Sequence, residues 1–464
     1  MQEQDTARVQ TGSQNDFLGS IMRGDYWIWG IYLFLFCISV VEIFSATSQL
    51  TFRGGYASDP AVRHVTFLLA GAVFLLISQS MSLPSIRAWD KLLYVIGLGL
   101  CITTIFVGTE QKGAARSIAG LQPVEICKLG VIMVLCALVT ARDATFHYIP
   151  LFRTRTERRR YWAYLLIIGL VALPIATQNL SSALIICMAS FGVMFLGGVN
   201  GRYLWWTILV GIVIAIISLA ALRVVYETKG GEQNARTAEM EQAEGDITSN
   251  KILGRVVTWS NRIYDHSGKP LWEEDTSGKK SQEIYSHMAI ANSYPLGRFI
   301  GNSKMRDFLP EAFSDYIFAI IFEEGGPLMA MLVLLLYLTL LIRCYVLSRR
   351  TESPYIRLMM VGLPLIIVIQ ALIHIGVCTG AMFVTGQPLP LLSRGGSSII
   401  GTSISFGILL ALSRIIRQEQ LEREQLAAEA DAPAIGDDDE APAGEYGDEP
   451  VAEPIEADYR STQI

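Results

Sequence analysis

Ten apolar runs long enough, or nearly long enough, to cross a membrane lie at residues 26–47, 64–81, 92–107, 123–140, 161–176, 181–198, 203–225, 327–347, 358–383 and 397–416. A helix needs about 20 apolar residues to cross a hydrocarbon layer about 30 Å thick. Inside lipid every backbone N–H and C=O must be paired within the protein, which leaves a helical bundle as the architecture for such runs. The expected fold is an all-α integral membrane protein with ten transmembrane helices. Composition points the same way, with 51% hydrophobic and 17% charged residues and a mean hydropathy of +0.38. A soluble enzyme, a secreted domain and a fibrous protein are excluded.

Orientation follows from Lys and Arg in short loops. Arg142, Arg153, Arg155, Arg158, Arg159 and Arg160 follow the fourth run, and Arg343, Arg349 and Arg350 follow the eighth. Both loops are expected in the cytoplasm, and an even number of spans then places both termini there. The expected organisation is a polar cytoplasmic N-terminus (1–25), a membrane domain (26–417) and an acidic cytoplasmic tail (418–464). The tail carries 15 Asp and Glu against Arg423 and Arg460 and is expected to be disordered. The first span is expected to serve as its own uncleaved signal. Seven cysteines all lie in apolar stretches and suggest neither a disulfide framework nor a metal motif.

One outer loop is long, spanning 226–314 between the seventh and eighth spans. Its polar start, 227–250, is expected to be disordered and the remainder structured. Within it 284–290 and, just beyond it, 316–322 are too short to span and read as interfacial or re-entrant pieces.

Chemistry concentrates on the outer side. Phe308-Leu309-Pro310-Glu311-Ala312-Phe313-Ser314-Asp315-Tyr316 places carboxylates at a membrane edge, where an ionisable group is costly and functional by default. The alternative is that Asp315 caps the helix that follows. Lys128 lies five residues inside the fourth span, after Gln122-Pro123-Val124-Glu125-Ile126-Cys127, and needs a partner or a wet cavity. Asp315 on the same side is a candidate partner; snorkelling, or pairing with Glu125 alone, is the alternative. In Thr385-Gly386-Gln387-Pro388-Leu389-Pro390-Leu391-Leu392-Ser393-Arg394-Gly395-Gly396-Ser397-Ser398, the glycines let backbone N–H groups approach an anion at a helix start, and Arg394 adds positive charge. Read alone, the stretch is equally an ordinary turn. Lys112 and Arg116 add cations after the third span, or anchor the interface. A carboxylate, a buried lysine and arginines at one outer cavity suit an anionic, lipid-linked substrate.

The ten-span layout together with Gln122–Lys128, Gly301–Gly326 and Thr385–Ser398 resembles the SEDS family (shape, elongation, division and sporulation). The resemblance runs from about residue 26 to 417. Within the family, Val41-Glu42-Ile43-Phe44-Ser45-Ala46-Thr47-Ser48 is more similar to the division-type branch than to the elongation-type branch. The resemblance implies a peptidoglycan glycosyltransferase that polymerises lipid II at the outer face of the cytoplasmic (inner) membrane, at the division septum. Asp315 matches the family's essential aspartate, Lys128 its motif lysine and Arg116 its arginine after the third span. Phe313 stands where the family usually has His, and Gln178-Asn179-Leu180-Ser181-Ser182 replaces a family segment that carries a carboxylate. The implied catalytic pair is Asp315 and Lys128, with Arg116, Lys112, Glu125, Glu311, Arg394, Gly395, Gly396 and Ser397 binding substrate. No cofactor is required, although magnesium or manganese is compatible with a pyrophosphate substrate. Expected partners are a class B penicillin-binding transpeptidase and other division proteins of the membrane, with no nucleic acid. A lipid II flippase or a non-catalytic scaffold for a partner synthase is the alternative.

Overall fold

The computed structural model describes residues 22–54, 58–107, 109–111, 114–117, 122–141, 157–213, 217, 281–309 and 312–430. The helices are α1 (Tyr26–Gly54), α2 (Ser58–Gln79), α3 (Leu83–Val107), α4 (Pro123–Thr140), α5 (Glu157–Gln178), α6 (Leu180–Leu196), α7 (Gly201–Val213), α8 (Ser281–Asn292), α9 (Ile317–Ser348), α10 (Pro354–Cys378) and α11 (Gly396–Ala430). A small antiparallel hairpin, β1 (Thr109–Gln111) and β2 (Ala114–Ser117), joins α3 to α4. Among the described residues eight helices, α1–α5 and α9–α11, are long and apolar enough to cross a membrane, and α6 and α7 are apolar but shorter. The protein is therefore a multi-pass, essentially all-helical membrane protein.

Burial sorts these helices. In α4, α10 and α11, 83%, 78% and 72% of the most apolar window is buried, against 33% in α2 and 22% in α3. The former make the centre of the bundle. The latter expose Leu69, Val73, Val95 and Phe106 in the manner of a lipid-facing surface. Helices in lipid approach closely where small residues meet, and α3 crosses α4 this way. A β-carbon on Gly130 would lie 2.6 Å from the Tyr94 backbone nitrogen.

Helix α9 breaks at Gly326-Pro327. Gly326 has φ 72° and ψ −176°, and a β-carbon there would lie 2.7 Å from the Leu296 carbonyl carbon. Only glycine holds that backbone at that distance. The short piece expected at 316–322 is thus the first section of α9, running through the kink into the span. Ahead of it, the buried Glu323 accepts from Ser303 Oγ at 2.5 Å, Lys304 N at 3.1 Å and Met305 N at 3.3 Å. Glu324 accepts from Ser45 Oγ at 2.5 Å and Gly301 N at 3.0 Å. These two carboxylates fasten the loop that leads to Asp315.

At the other end, Asp25 caps the start of α1 through Trp27 N and Ile28 N, and Arg343 of α9 grips it at 2.6 Å. The last helix does not stop where acidity begins. Residues 418–430, expected to be disordered, continue α11 to Ala430 because their Glu, Gln, Leu, Ala and Arg composition favours a helix. Residues up to Gln420 form one compact unit, and 421–464 are a second. The polar stretch 227–250 lies outside the described residues.

Candidate functional site

The segment 385–395 between α10 and α11 organises the site, because its backbone is held from several sides. Gln370 Nε2 donates to Pro388 O at 2.8 Å, and His374 Nδ1 lies 2.7 Å from Gln387 O. The Gln387 side chain bonds Ser182 of α6, with Gln387 Nε2 donating to Ser182 Oγ at 2.9 Å. Ser39 Oγ of α1 donates to Leu391 O at 2.7 Å. A loop with this many anchors presents its backbone in one geometry.

Asp315 sits on that segment. Ser393 Oγ donates to Ser314 O at 2.7 Å, and Arg394 N donates to Phe313 O at 2.9 Å. Ser314 Oγ donates to Asp315 Oδ1 at 3.1 Å, and the Cys378 thiol lies 4.0 Å from Asp315 O. Gly386, at φ 63°, passes over the carboxylate, where a β-carbon on it would lie 3.6 Å from Asp315 Oδ2. Helix α9 starts at Ile317 with Tyr316 at its N-cap and no side-chain capping bond. The N-cap position thus falls one residue beyond Asp315.

Lys128 is buried in the first turns of α4. Its Nζ donates to Glu125 Oε1 and to Gln370 Oε1, each at 2.8 Å. The expected direct ion pair with Asp315 is not formed. Glu125, one turn away on the same helix, neutralises the lysine, and Gln370 passes the connection to the 385–395 segment.

Arg394 lies with its guanidinium carbon 5.0 Å from the centre of the Phe313 ring, a cation–π contact that fixes its direction. Gln122 N donates to Ser397 Oγ at 2.7 Å and so joins the start of α4 to the start of α11. Gly396 faces protein, since a β-carbon there would lie 2.6 Å from the Phe67 ring. Its small size serves packing against α2, whereas Gly395 has only ordinary neighbours. The guanidinium carbon of Arg63 of α2 lies 5.8 Å from the centre of the Phe67 ring.

The structure thus brings together Asp315, Arg394, Gly395, Gly396, Ser397, Glu125 and Lys128. Lys112, Glu311 and the Arg116 side chain lie outside the described residues, although β2 carries the Arg116 backbone. Sequence reasoning missed Gln370, His374 and Gln387. The available signal was two polar side chains spaced i, i+4 within an otherwise apolar span, a pattern that marks function in membranes. A cavity of about 680 Å³ lined by Thr140, Gly197, Arg349 and Arg357 lies at the opposite ends of these helices, away from Asp315.

The chain is 28% identical to a probable peptidoglycan glycosyltransferase FtsW of Halomonas elongata, covering 87% of this chain and 93% of the relative. It is 25% identical to the peptidoglycan glycosyltransferase MrdB of Escherichia coli (82% and 91% covered) and 28% identical to the stage V sporulation protein E of Bacillus subtilis (83% and 96%). Among solved structures, a chain of a peptidoglycan synthase complex superposes with a TM-score of 0.59 at 20% identity, covering 85% of this chain and 99% of that one. Rod shape determining protein RodA of Thermus thermophilus gives 0.55 at 21% identity, covering 84% and 97%. The family model for the FtsW, RodA and SpoVE cell cycle proteins matches residues 26–418, and the chain belongs to that family, also called SEDS.

Proposed function

We propose that this protein is a peptidoglycan glycosyltransferase that polymerises lipid II into glycan strands at the outer face of the cytoplasmic membrane, in septal wall synthesis. The carrying observation is a carboxylate, Asp315, held under the glycine of a many-times-anchored segment that also carries Arg394. The family and the relatives named as peptidoglycan glycosyltransferases support the reaction class. The similarity of 41–48 to division-type members supports the septal role. We read α1–α7 and α9–α11 as ten spans with both termini inside.

In this scheme Asp315 accepts the proton of the acceptor 4-hydroxyl as that oxygen attacks the anomeric carbon of the donor strand. A carboxylate does this when it reaches the hydroxyl at hydrogen-bond distance. The C–O bond to undecaprenyl pyrophosphate breaks, and Arg394, with Arg116 and Lys112 from the preceding outer segment, stabilises the departing charge. Lys128, neutralised by Glu125, holds the 385–395 segment through Gln370 and thereby sets the space over Asp315. The scheme needs no cofactor, and a magnesium or manganese ion would ride with the pyrophosphate oxygens. A class B penicillin-binding transpeptidase is the proposed partner, supported by the likeness to a chain of a peptidoglycan synthase complex. Other division proteins would join that assembly.

The test is lipid II polymerisation by the purified full chain with its cognate transpeptidase, comparing wild type with Asp315→Asn at matched complex formation. Glycan ladders from wild type and none from the variant are expected. Equal ladders remove Asp315 from the chemistry. No ladder from either, with the partner bound, favours a flippase or a scaffold.

A further inference from the structure

Leu391 has φ 64°, a left-handed backbone that a non-glycine residue keeps only where its surroundings impose it. Two hydroxyls from different helices do so here. Tyr337 Oη of α9 donates to Pro390 O at 2.5 Å, and Ser39 Oγ of α1 donates to Leu391 O at 2.7 Å. The turn sends the chain back on itself, with Leu392 N and Ser393 N both donating to Leu389 O, at 3.2 and 2.9 Å. The residues that follow are thereby laid on the loop ahead of α9, where Ser393 Oγ meets Ser314 O and Arg394 N meets Phe313 O.

Ser39 has a partner behind it. His64 Nε2 of α2 lies 2.8 Å from Ser39 Oγ, and both side chains are buried. The single hydrogen of the hydroxyl is on the Leu391 carbonyl, which can only accept, so the second bond runs from His64 Nε2–H to Ser39 Oγ. The other ring nitrogen, Nδ1, then holds a lone pair; it is buried and has no hydrogen-bond partner. Protonating it would create a buried N–H with nothing to accept it, in the field of the Arg394 guanidinium, so the ring is neutral. A neutral ring with its one N–H in use is a fixed donor. A donor into a hydroxyl polarises it and strengthens the bond that the hydroxyl makes in turn.

We propose that His64 and Ser39 are positioning residues of the glycosyl transfer: the relay from His64 Nε2–H through Ser39 Oγ–H to Leu391 O keeps Leu391 in its left-handed turn and so aims the Arg394 guanidinium at the pyrophosphate of the lipid substrate. The inference rests on the reading of Arg394 as a pyrophosphate ligand. Neither residue touches substrate, and both act through the backbone of 391–394. Without the relay the turn at Leu391 relaxes toward an unstrained backbone. The two contacts that fix Arg394, from its N–H to Phe313 O and from its guanidinium to the Phe313 ring, then lose their register.

The experiment uses the full chain with the cognate transpeptidase, at a temperature where every variant is folded. It compares wild type, Ser39→Ala, His64→Leu, His64→Gln, Arg394→Lys and the double variant Ser39→Ala with Arg394→Lys. Glutamine offers an N–H at a reach close to that of Nε2 and takes up no proton. Lipid II polymerisation gives kcat and KM, and hydrogen exchange reports the amides of 389–394. We expect kcat/KM to fall by about tenfold or more in Ser39→Ala and His64→Leu and to stay within about threefold of wild type in His64→Gln. Exchange should quicken in the first two and match wild type in the third. Arg394→Lys should itself lose about tenfold or more, and Ser39→Ala should add less than about threefold to it, because the aim that Ser39 sets is already gone. Wild-type rates in Ser39→Ala and His64→Leu overturn the proposal. So do losses that multiply in the double variant, since that is support of the fold independent of Arg394, and so does a His64→Gln variant as impaired as His64→Leu. An Arg394→Lys variant as active as wild type, or a wild type that makes no glycan, overturns the underlying reading instead, and the exchange data then still show whether the relay holds Leu391.

Discussion

Lys128 Nζ and Pro388 O are joined through one side chain: Gln370 accepts from the lysine at 2.8 Å and donates to the carbonyl at 2.8 Å. A buried cation on α4 is thereby coupled to the backbone that overlies Asp315, with no contact between the two charges. The lysine's effect on the site is transmitted as geometry.

Gln370→Leu tests that coupling. It strands the Pro388 carbonyl and takes one acceptor from a buried ammonium, a loss of about 2 kcal/mol. We expect a lower thermal midpoint in detergent and at least a tenfold fall in polymerisation. Gln370→Glu keeps an acceptor for Lys128 but no donor for Pro388, and should fall between the two. A leucine variant equal to wild type in both measurements would show that the bridge does nothing.

Glu323 makes a second kind of prediction. Its carboxylate collects Ser303 Oγ, Lys304 N and Met305 N in a buried site, so Glu323→Ala strands three donors at about 1–3 kcal/mol each if none finds water. Hydrogen exchange in 301–307 should accelerate well beyond that of α9, with a smaller change for Glu323→Gln. Equal exchange in all three proteins is the outcome that contradicts it.

What the sequence made legible divides along physical lines. Helix α4 begins at Pro123 and ends at Thr140, as the apolar run does, because proline fixes the first turn and the run ends with the hydrocarbon requirement. Asp315 and Lys128 stood out because charge inside a membrane is expensive. Their pairing did not follow, since Glu125, one turn from Lys128, is a nearer carboxylate than any on a distant segment. Gln370 and His374 carry no formal charge and hydropathy passed over them; their partners, the segment 385–395 for both and Lys128 for Gln370, come together only in the fold. The extension of α11 was hidden by averaging, because the acidity of 431–464 masked the helix-forming composition of 418–430.

Arg343 and Asp25 should matter for stability and not for chemistry. The guanidinium meets the carboxylate in a fork, Nε to Oδ1 at 3.1 Å and Nη2 to Oδ2 at 2.6 Å, at the end of the bundle remote from Asp315. The pair is only partly buried, so a double-mutant cycle with Arg343→Met and Asp25→Asn should give a coupling of about 1 kcal/mol. Polymerisation per folded molecule should be unchanged. A tenfold loss of specific activity in either variant would contradict this division of labour.

Gly386 separates backbone strain from the need for space. At φ 63° an alanine costs about 1–2 kcal/mol, and its β-carbon would make an ordinary 3.6 Å contact with Asp315 Oδ2. Gly386→Ala should therefore fold with reduced stability and keep activity to within about tenfold. Asparagine tolerates this backbone region far better than other residues, so Gly386→Asn relieves much of the strain while placing an amide over the carboxylate. We expect the asparagine variant to be at least as stable as the alanine variant and yet about a hundredfold less active in lipid II polymerisation. That inversion of order between stability and activity cannot come from misfolding. An asparagine variant as active as wild type would mean that the acceptor sugar reaches Asp315 from another side.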